Sequence, residues 1–260
     1  MHRAVAQADG RIAVACWAAV MLQACLNGAR VPDGRAPIPV TPAEIADDAE
    51  ACVRAGATDL HLHPKDPAGA DSIESGLVAA ALVAVRARCC RVPVGVTTGA
   101  WTASVSERLQ QISSWTVLPD HVSVNFHEEG GEQIARRCLD RGIAVDAGIW
   151  SGTDGFGRLL ASGLAGSCRY LLLEITDADV DDAVVSAERL IGLAAPLDRP
   201  LLLHGEERSA WPLLRLAANR GLAVRIGFED SLLLADGSAA SGNAELVTAA
   251  YREWRASRCR

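Results

Sequence analysis

Residues 200–230 read PLLLHGEERSAWPLLRLAANRGLAVRIGFED, and this run holds one complete strand–helix–strand unit. Pro200–His204 is a short Leu-rich stretch, Ser209–Arg220 an amphipathic helical stretch, and Ala223–Phe228 a second short apolar run. Gly221 stands where a helix ending at Arg220 needs a residue that turns left-handed without a steric cost. The two short runs are mostly apolar on both faces, as parallel strands covered on both sides are.

The unit repeats toward the N-terminus. Strands are expected at Val20–Leu26, Asp59–His63, Val92–Thr97, His121–Phe126, Ala144–Trp150 and Tyr170–Ile175. Helices are expected from Thr41, at Asp71–Arg88, Ser104–Ser114, Gly131–Arg141, Gly155–Ser162 and Asp181–Ala194, and last at Asn243–Arg255. Thr41-Pro42-Ala43-Glu44 is a helix start, with Thr as N-cap, Pro at the first helical position and Glu at the third. Eight βα units follow one another with no linker, which predicts a parallel sheet closed into a (β/α)8 TIM barrel, a single catalytic domain over residues 21–260. An open doubly wound sheet is the alternative, weakened because no G-x-G-x-x-G follows the first strand.

Half of the 260 residues are hydrophobic and 22% are charged, enough apolar material for a large core. The formal charge of −7, with acids and bases interspersed, carries no basic footprint for nucleic acid. Eight cysteines contain no C-x-x-C pair and read as reduced thiols of a cytoplasmic protein. The apolar run Ile12–Leu26 follows Arg3 and Arg11 like a signal peptide, but it leads straight into a strand and is too short to span a bilayer. Residues 1–20 are therefore read as an N-terminal extension, with Met21 as an alternative start and no membrane partner.

In such a barrel chemistry gathers at the C-terminal ends of the strands. The second strand ends Asp59-Leu60-His61-Leu62-His63-Pro64. Alternation turns Asp59, His61 and His63 inward, and two inward imidazoles make half of a site for zinc or another divalent transition metal. The eighth strand supplies Arg225-Ile226-Gly227-Phe228-Glu229-Asp230, in which Arg225, Gly227 and Glu229 share one face. Glu229 completes a His₂Glu set with an open coordination position. Asp230, oriented by Arg225, suits proton removal beside the metal. Thr97 and Thr98, ahead of Gly99, offer hydroxyls and amides to an anion. The other strand ends offer Asn27, Asn125, Asp146, Glu174 and His204, and Arg30 lies just past the first strand.

His-Leu-His-Pro at 61–64, Thr-Thr-Gly-Ala at 97–100, Arg-Ile-Gly-Phe-Glu-Asp at 225–230 and Asn243-Ala244-Glu245-Leu246-Val247 together resemble the β-keto acid cleavage enzymes. The resemblance runs from about Met21 to Trp254 and includes Pro39–Ala46. It implies a zinc-bearing homotetrameric barrel that turns a β-keto acid and acetyl-CoA, its co-substrate, into acetoacetate and a new acyl-CoA. His61, His63 and Glu229 would hold the metal, Asp230 steered by Arg225 would take the α-proton, and Thr97 and Thr98 would grip the substrate carboxylate or polarise the thioester. Asn27, Asn125, Asp146 and Arg30 are the further substrate-binding candidates. The chain looks like a shorter branch, trimmed around strands four to six and at the C-terminus. Where relatives acting on an amino substrate carry a carboxylate after the first strand, this chain has Arg30, which points to an anionic or polar tail such as a β-keto dicarboxylate.

Other readings stay open. Metal-dependent hydrolases also use His-x-His, but on strand one and with histidines from strands five and six, which here contain none. A metal-dependent aldolase or lyase that does not use coenzyme A, and a non-catalytic metal- or metabolite-binding barrel, remain as alternatives.

Overall fold

The computed structural model describes residues 21–258, so the expected extension 1–20 lies outside the described residues. Eight strands close into one parallel barrel in sequence order. They are β1 Leu22–Cys25, β2 Asp59–Leu62, β3 Val94–Thr97, β4 His121–Asn125, β5 Ala144–Trp150, β6 Tyr170–Ile175, β7 Leu201–Gly205 and β8 Ala223–Ile226. The helices between and after them are α1 Pro42–Ala55, α2 Ser75–Arg88, α3 Val105–Ser114, α4 Gly131–Asp140, α5 Gly155–Ser162, α6 Val180–Ala194, α7 Ala210–Arg220 and α8 Asn243–Arg258. No helix among the described residues is long and apolar enough to cross a membrane.

Local chemistry explains the element ends. Thr41 caps α1 in a complete capping box with Glu44, and Ser104 does the same for α3 with Glu107. Gly56 and Gly221 close α1 and α7 in the left-handed conformation. Leu60, Leu62, Val94, Val96 and Val122 alternate toward the helix layer with no exposure. Each such side chain contributes about 1.5–3 kcal/mol by leaving water.

The residues between them face inward, and apart from Gly95, which leaves room for the His121 ring, they are polar. At the N-terminal end of the barrel they form a salt-bridged floor. Gln23 Nε2 donates to Asp59 Oδ1 at 2.6 Å, and Arg169 Nη1 donates to Asp59 Oδ2 at 2.6 Å. Arg169 also binds both oxygens of Asp146, at 2.8 and 2.6 Å. The His121 ring lies between, 3.1 Å from Asp59 and 3.1 Å from Asp146. Asp146 therefore belongs to this floor rather than to the mouth, because it is the third residue of a seven-residue strand.

Two boundaries differ from expectation. Helix α2 starts at Ser75, and Asp71 lies in the preceding loop, where its carboxylate is engaged by side chains of the mouth. Strand β8 stops at Ile226, after which Asp230 N and Ser231 N both donate to Gly227 O at 2.9 Å. Glu229 thus reaches the mouth from a turn and not from strand alternation. Asn243, at the start of α8, fixes that turn by accepting from Phe228 N at 2.6 Å and donating to Leu26 O at 2.7 Å.

Candidate functional site

Asn27 sets His63 before any site is formed. Its amide accepts from His63 N at 2.8 Å and donates to His63 O at 2.9 Å and to Pro39 O at 3.0 Å. All its polar atoms serve the backbone, and it does not line the cavity. It therefore positions the His63 backbone from outside the cavity lining.

His61 and His63 are 2% and 3% exposed, so their nitrogens have little water to bind. His61 Nε2 lies 3.7 Å from Glu229 Oε2, and His63 Nε2 lies 3.5 Å from Glu229 Oε1. One ligand atom from each of the three residues falls within a 4.8 Å cluster. Glu229 Oε2 is buried and accepts no hydrogen bond from the described residues. A buried carboxylate oxygen without a donor is costly, and a divalent cation is the partner that two imidazoles and a carboxylate fit. Burial is the main influence on His61 and holds it at about 3, so its ring is neutral, as a metal ligand has to be. Burial also pulls His63 down, but Glu229 and Asp71 outweigh it and lift it to about 9, a proton that a bound cation would displace.

Arg225 joins the His61–His63–Glu229 cluster to Asp230. Its Nη2 lies 2.9 Å from Glu229 Oε1 and donates to Asp230 Oδ1 at 2.7 Å. His204 Nδ1 approaches the same Asp230 oxygen at 3.3 Å, while its Nε2 lies 3.5 Å from Glu174. Burial pushes Asp230 up, but Arg225 and His204 together hold it below the usual carboxylate range, so it is ionised. Asp230 is 1% exposed and does not itself line the cavity.

A cavity of about 450 Å³ opens above His63, Arg225 and Glu229. Thr97, Ser123 and Asn125 line it, as do Trp101, Trp150, Glu174, Glu206 and Glu207. Thr98 does not: its hydroxyl donates to Ser123 O at 2.7 Å, on the opposite side of β3 from Thr97. Asn125 reaches the cavity with its amide already engaged, donating to Glu128 at 2.9 Å and accepting from Trp150 Nε1 at 3.2 Å. Arg30 lines the rim, but its guanidinium binds the Glu207 carboxylate and the Phe228 carbonyl. The free cation on which a dicarboxylate substrate was expected is therefore neutralised in place.

Sequence reading missed Asp71 and Trp101, which contact His63, Lys65, which binds Asp71, and Ser123, Trp150, Glu206 and Glu207 of the cavity. Trp150 had a signal, since it shares a face with Asp146 two turns of alternation below it.

A family model described as beta-keto acid cleavage enzyme matches residues 19–152 and 168–258. The 3-keto-5-aminohexanoate cleavage enzyme of Fusobacterium nucleatum subsp. nucleatum is 25% identical over 253 residues, which is 90% of this chain and 90% of that enzyme. Among solved structures, the ternary complex of ObcA with a C4-CoA adduct and oxalate aligns with a TM-score of 0.60 at 17% identity, over 84% of this chain and 64% of that one. The chain thus spans less than two thirds of the length of ObcA. The 3-dehydroquinate dehydratase from Geobacillus kaustophilus HTA426 aligns with a TM-score of 0.56 at 11% identity, over 90% of this chain and 91% of that one. Likeness at such identities speaks for the barrel alone.

Proposed function

The chain belongs to the beta-keto acid cleavage enzymes, which act on carbon–carbon bonds, and from that premise we propose that it exchanges the acyl group of a β-keto acid with acetyl-CoA, releasing acetoacetate and a new acyl-CoA. The observation that carries this reading is the shared hold of Arg225 on Glu229 and Asp230, which sets a carboxylate base beside the His61–His63–Glu229 cluster.

His61, His63 and Glu229 would hold a divalent cation, with zinc as the ion proposed, and that ion would supply Lewis-acid chemistry toward the carbonyl of the keto acid. Asp230 accepts the α-proton; it lies just behind the lining, so in this reading the proton reaches it past Arg225, which lines the cavity and keeps that carboxylate ionised and aimed. Thr97 supplies a hydroxyl to the substrate carboxylate, with Ser123 beside it in the cavity. The carbanion bonds to the thioester carbonyl and the coenzyme thiolate leaves. The thiolate then adds to the original ketone, whose bond to the α-carbon breaks, and Asp230 returns its proton to that carbon. The homotetramer and the cytoplasmic location belong to the same proposal, the first to be read by light scattering.

Acetoacetate should form from a screen of β-keto acids only when acetyl-CoA is supplied and only in metal-replete protein. His61→Ala and His63→Ala should lose metal and turnover while the barrel stays folded, and full metal occupancy in the double variant would sink the assignment.

A lyase that does not use coenzyme A is favoured by one feature. Glu174, Glu206 and Glu207 line the mouth, while Arg30 and Arg225 are both already paired, so among the described residues no free cation of the lining awaits coenzyme phosphates. Cleavage of the keto acid at an equal rate without a thioester would favour this reading.

A further inference from the structure

Asp71 belongs to none of the strand ends that carry the metal cluster, yet three side chains converge on it. His63 Nδ1 lies 2.7 Å from Asp71 Oδ2, and Trp101 Nε1 donates to the same oxygen at 2.7 Å. Lys65 Nζ donates to the other oxygen, Oδ1, at 2.5 Å. Lys65 is itself buried and donates to Gly28 O at 2.6 Å and Arg30 O at 3.2 Å. One carboxylate therefore ties together the loops after β1, β2 and β3.

We propose that Asp71 is the positioning residue of the metal site: it holds the His63 imidazole with a proton on Nδ1, so that the lone pair of Nε2 faces the ion, and it fastens Trp101 over that ring. The proposal rests on the metal reading of His61, His63 and Glu229. A neutral imidazole carries its proton on one nitrogen, and an acceptor at Nδ1 decides which. The other nitrogen then points at Glu229, 3.5 Å away, where a ligand must point. A carboxylate behind a metal-bound histidine also raises the basicity of the ring and fixes its plane.

A simple ion pair with Lys65 would need only one of the two oxygens. The second is shared by His63 and Trp101, and the indole stacks on the imidazole with centroids 6.0 Å apart and planes 21° apart. Residue 99 is glycine for the same reason, since a β-carbon there would collide with the six-membered ring of Trp101. The loop after β3 is thus shaped to lay an indole on His63, with Asp71 as its anchor.

The test uses Zn²⁺ and Co²⁺ binding to the full chain, measured by competition with a chromophoric chelator. Asp71→Asn keeps the size but has a single oxygen, which serves either His63 and Trp101 or Lys65. Its dissociation constant for Zn²⁺ should rise about 10–100-fold over wild type. In Zn²⁺-loaded wild type, ¹⁵N-resolved NMR should place the His63 proton on Nδ1, shifted downfield by a strong hydrogen bond. An affinity of Asp71→Asn equal to that of wild type would overturn the role of Asp71 and leave the metal site standing. A His63 proton on Nε2 in loaded wild type would overturn it without any variant. Absence of Zn²⁺ and Co²⁺ binding to wild type would instead overturn the metal reading, and this proposal with it.

Discussion

Glu229 lies directly on the backbone of Gly28: a β-carbon at residue 28 would stand 2.5 Å from Glu229 Cγ, and Gly28 holds φ at +54°. The first loop therefore fixes the carboxylate of the eighth. Gly28→Ala should cost about 1–3 kcal/mol through the strained left-handed backbone. It should also weaken metal binding at least about tenfold, because the ligand must move for the methyl to fit. Thermal melts and chelator competition measure the two effects. Lower stability with untouched metal affinity would show that Glu229 is not a ligand.

Asp230→Asn separates base from ligand. The variant should keep its metal, since Asp230 stands outside the three-residue cluster. Turnover should fall by about two to four orders of magnitude, the usual loss when a general base is removed. Near-normal turnover with bound metal would reduce Asp230 to a partner of Arg225 and His204.

The rim pair of Arg30 and Glu207 gives a test of substrate charge. With its guanidinium neutralised, Arg30 should give wild type no preference for keto acids with an anionic tail. Glu207→Gln releases that charge, and kcat/KM for a β-keto dicarboxylate should rise several-fold over a neutral analogue, by about 1 kcal/mol of recovered ion pairing. Arg30→Glu should reverse the ranking toward cationic tails. Identical rankings in all three proteins would place Arg30 outside the reading of the tail.

The floor of the barrel makes stability fall on the alkaline side. Burial, the largest single influence, pushes His121 down from 6.5, but Asp59 and Asp146 outweigh it and hold the ring at about 9. A group whose value is raised on folding contributes its full stabilisation below 6.5 and loses it as pH climbs through 9. The amount is on the order of 3 kcal/mol for such a shift. Chemical denaturation between pH 6 and 10 should show this loss in wild type and a shallower slope in His121→Gln. Equal slopes would remove His121 as the titrating group.

Eight strands and their helices could be read from the sequence because each announces itself within a dozen residues, through apolar runs, caps and closing glycines. The clustering of His61, His63 and Glu229 could be read because they follow the ends of β2 and β8, which closure brings to either side of β1, although Glu229 arrives on the turn after β8 and not on the strand. The failures have equally definite causes. Thr97 and Thr98 are neighbours, and adjacent residues of a strand cannot both face inward, so alternation alone already argues against pairing them in one site. Asp146 faces inward but at the wrong depth, which depends on where Arg169 and His121 arrive from other strands. Asp71 has the sequence pattern of a helix start, and only the folded positions of Lys65, His63 and Trp101 take it out of one. Arg30 carries the charge expected of it, and the partner that cancels that charge lies 177 residues away.

The salt-bridged floor and the mouth of the barrel draw on the same strands at different heights. Strand β2 begins with Asp59 in the floor and leads directly to His63 at the mouth, and β4 runs from His121 to Asn125. Barrels of this type keep conformational integrity at the N-terminal face and chemistry at the other. Substrate range in this chain can therefore be redrawn through residues 30, 150, 206 and 207 without touching the layer that holds the strands in register. A library confined to those rim positions should return mostly folded proteins, whereas one that includes Asp59, His121, Asp146 or Arg169 should return mostly collapsed ones.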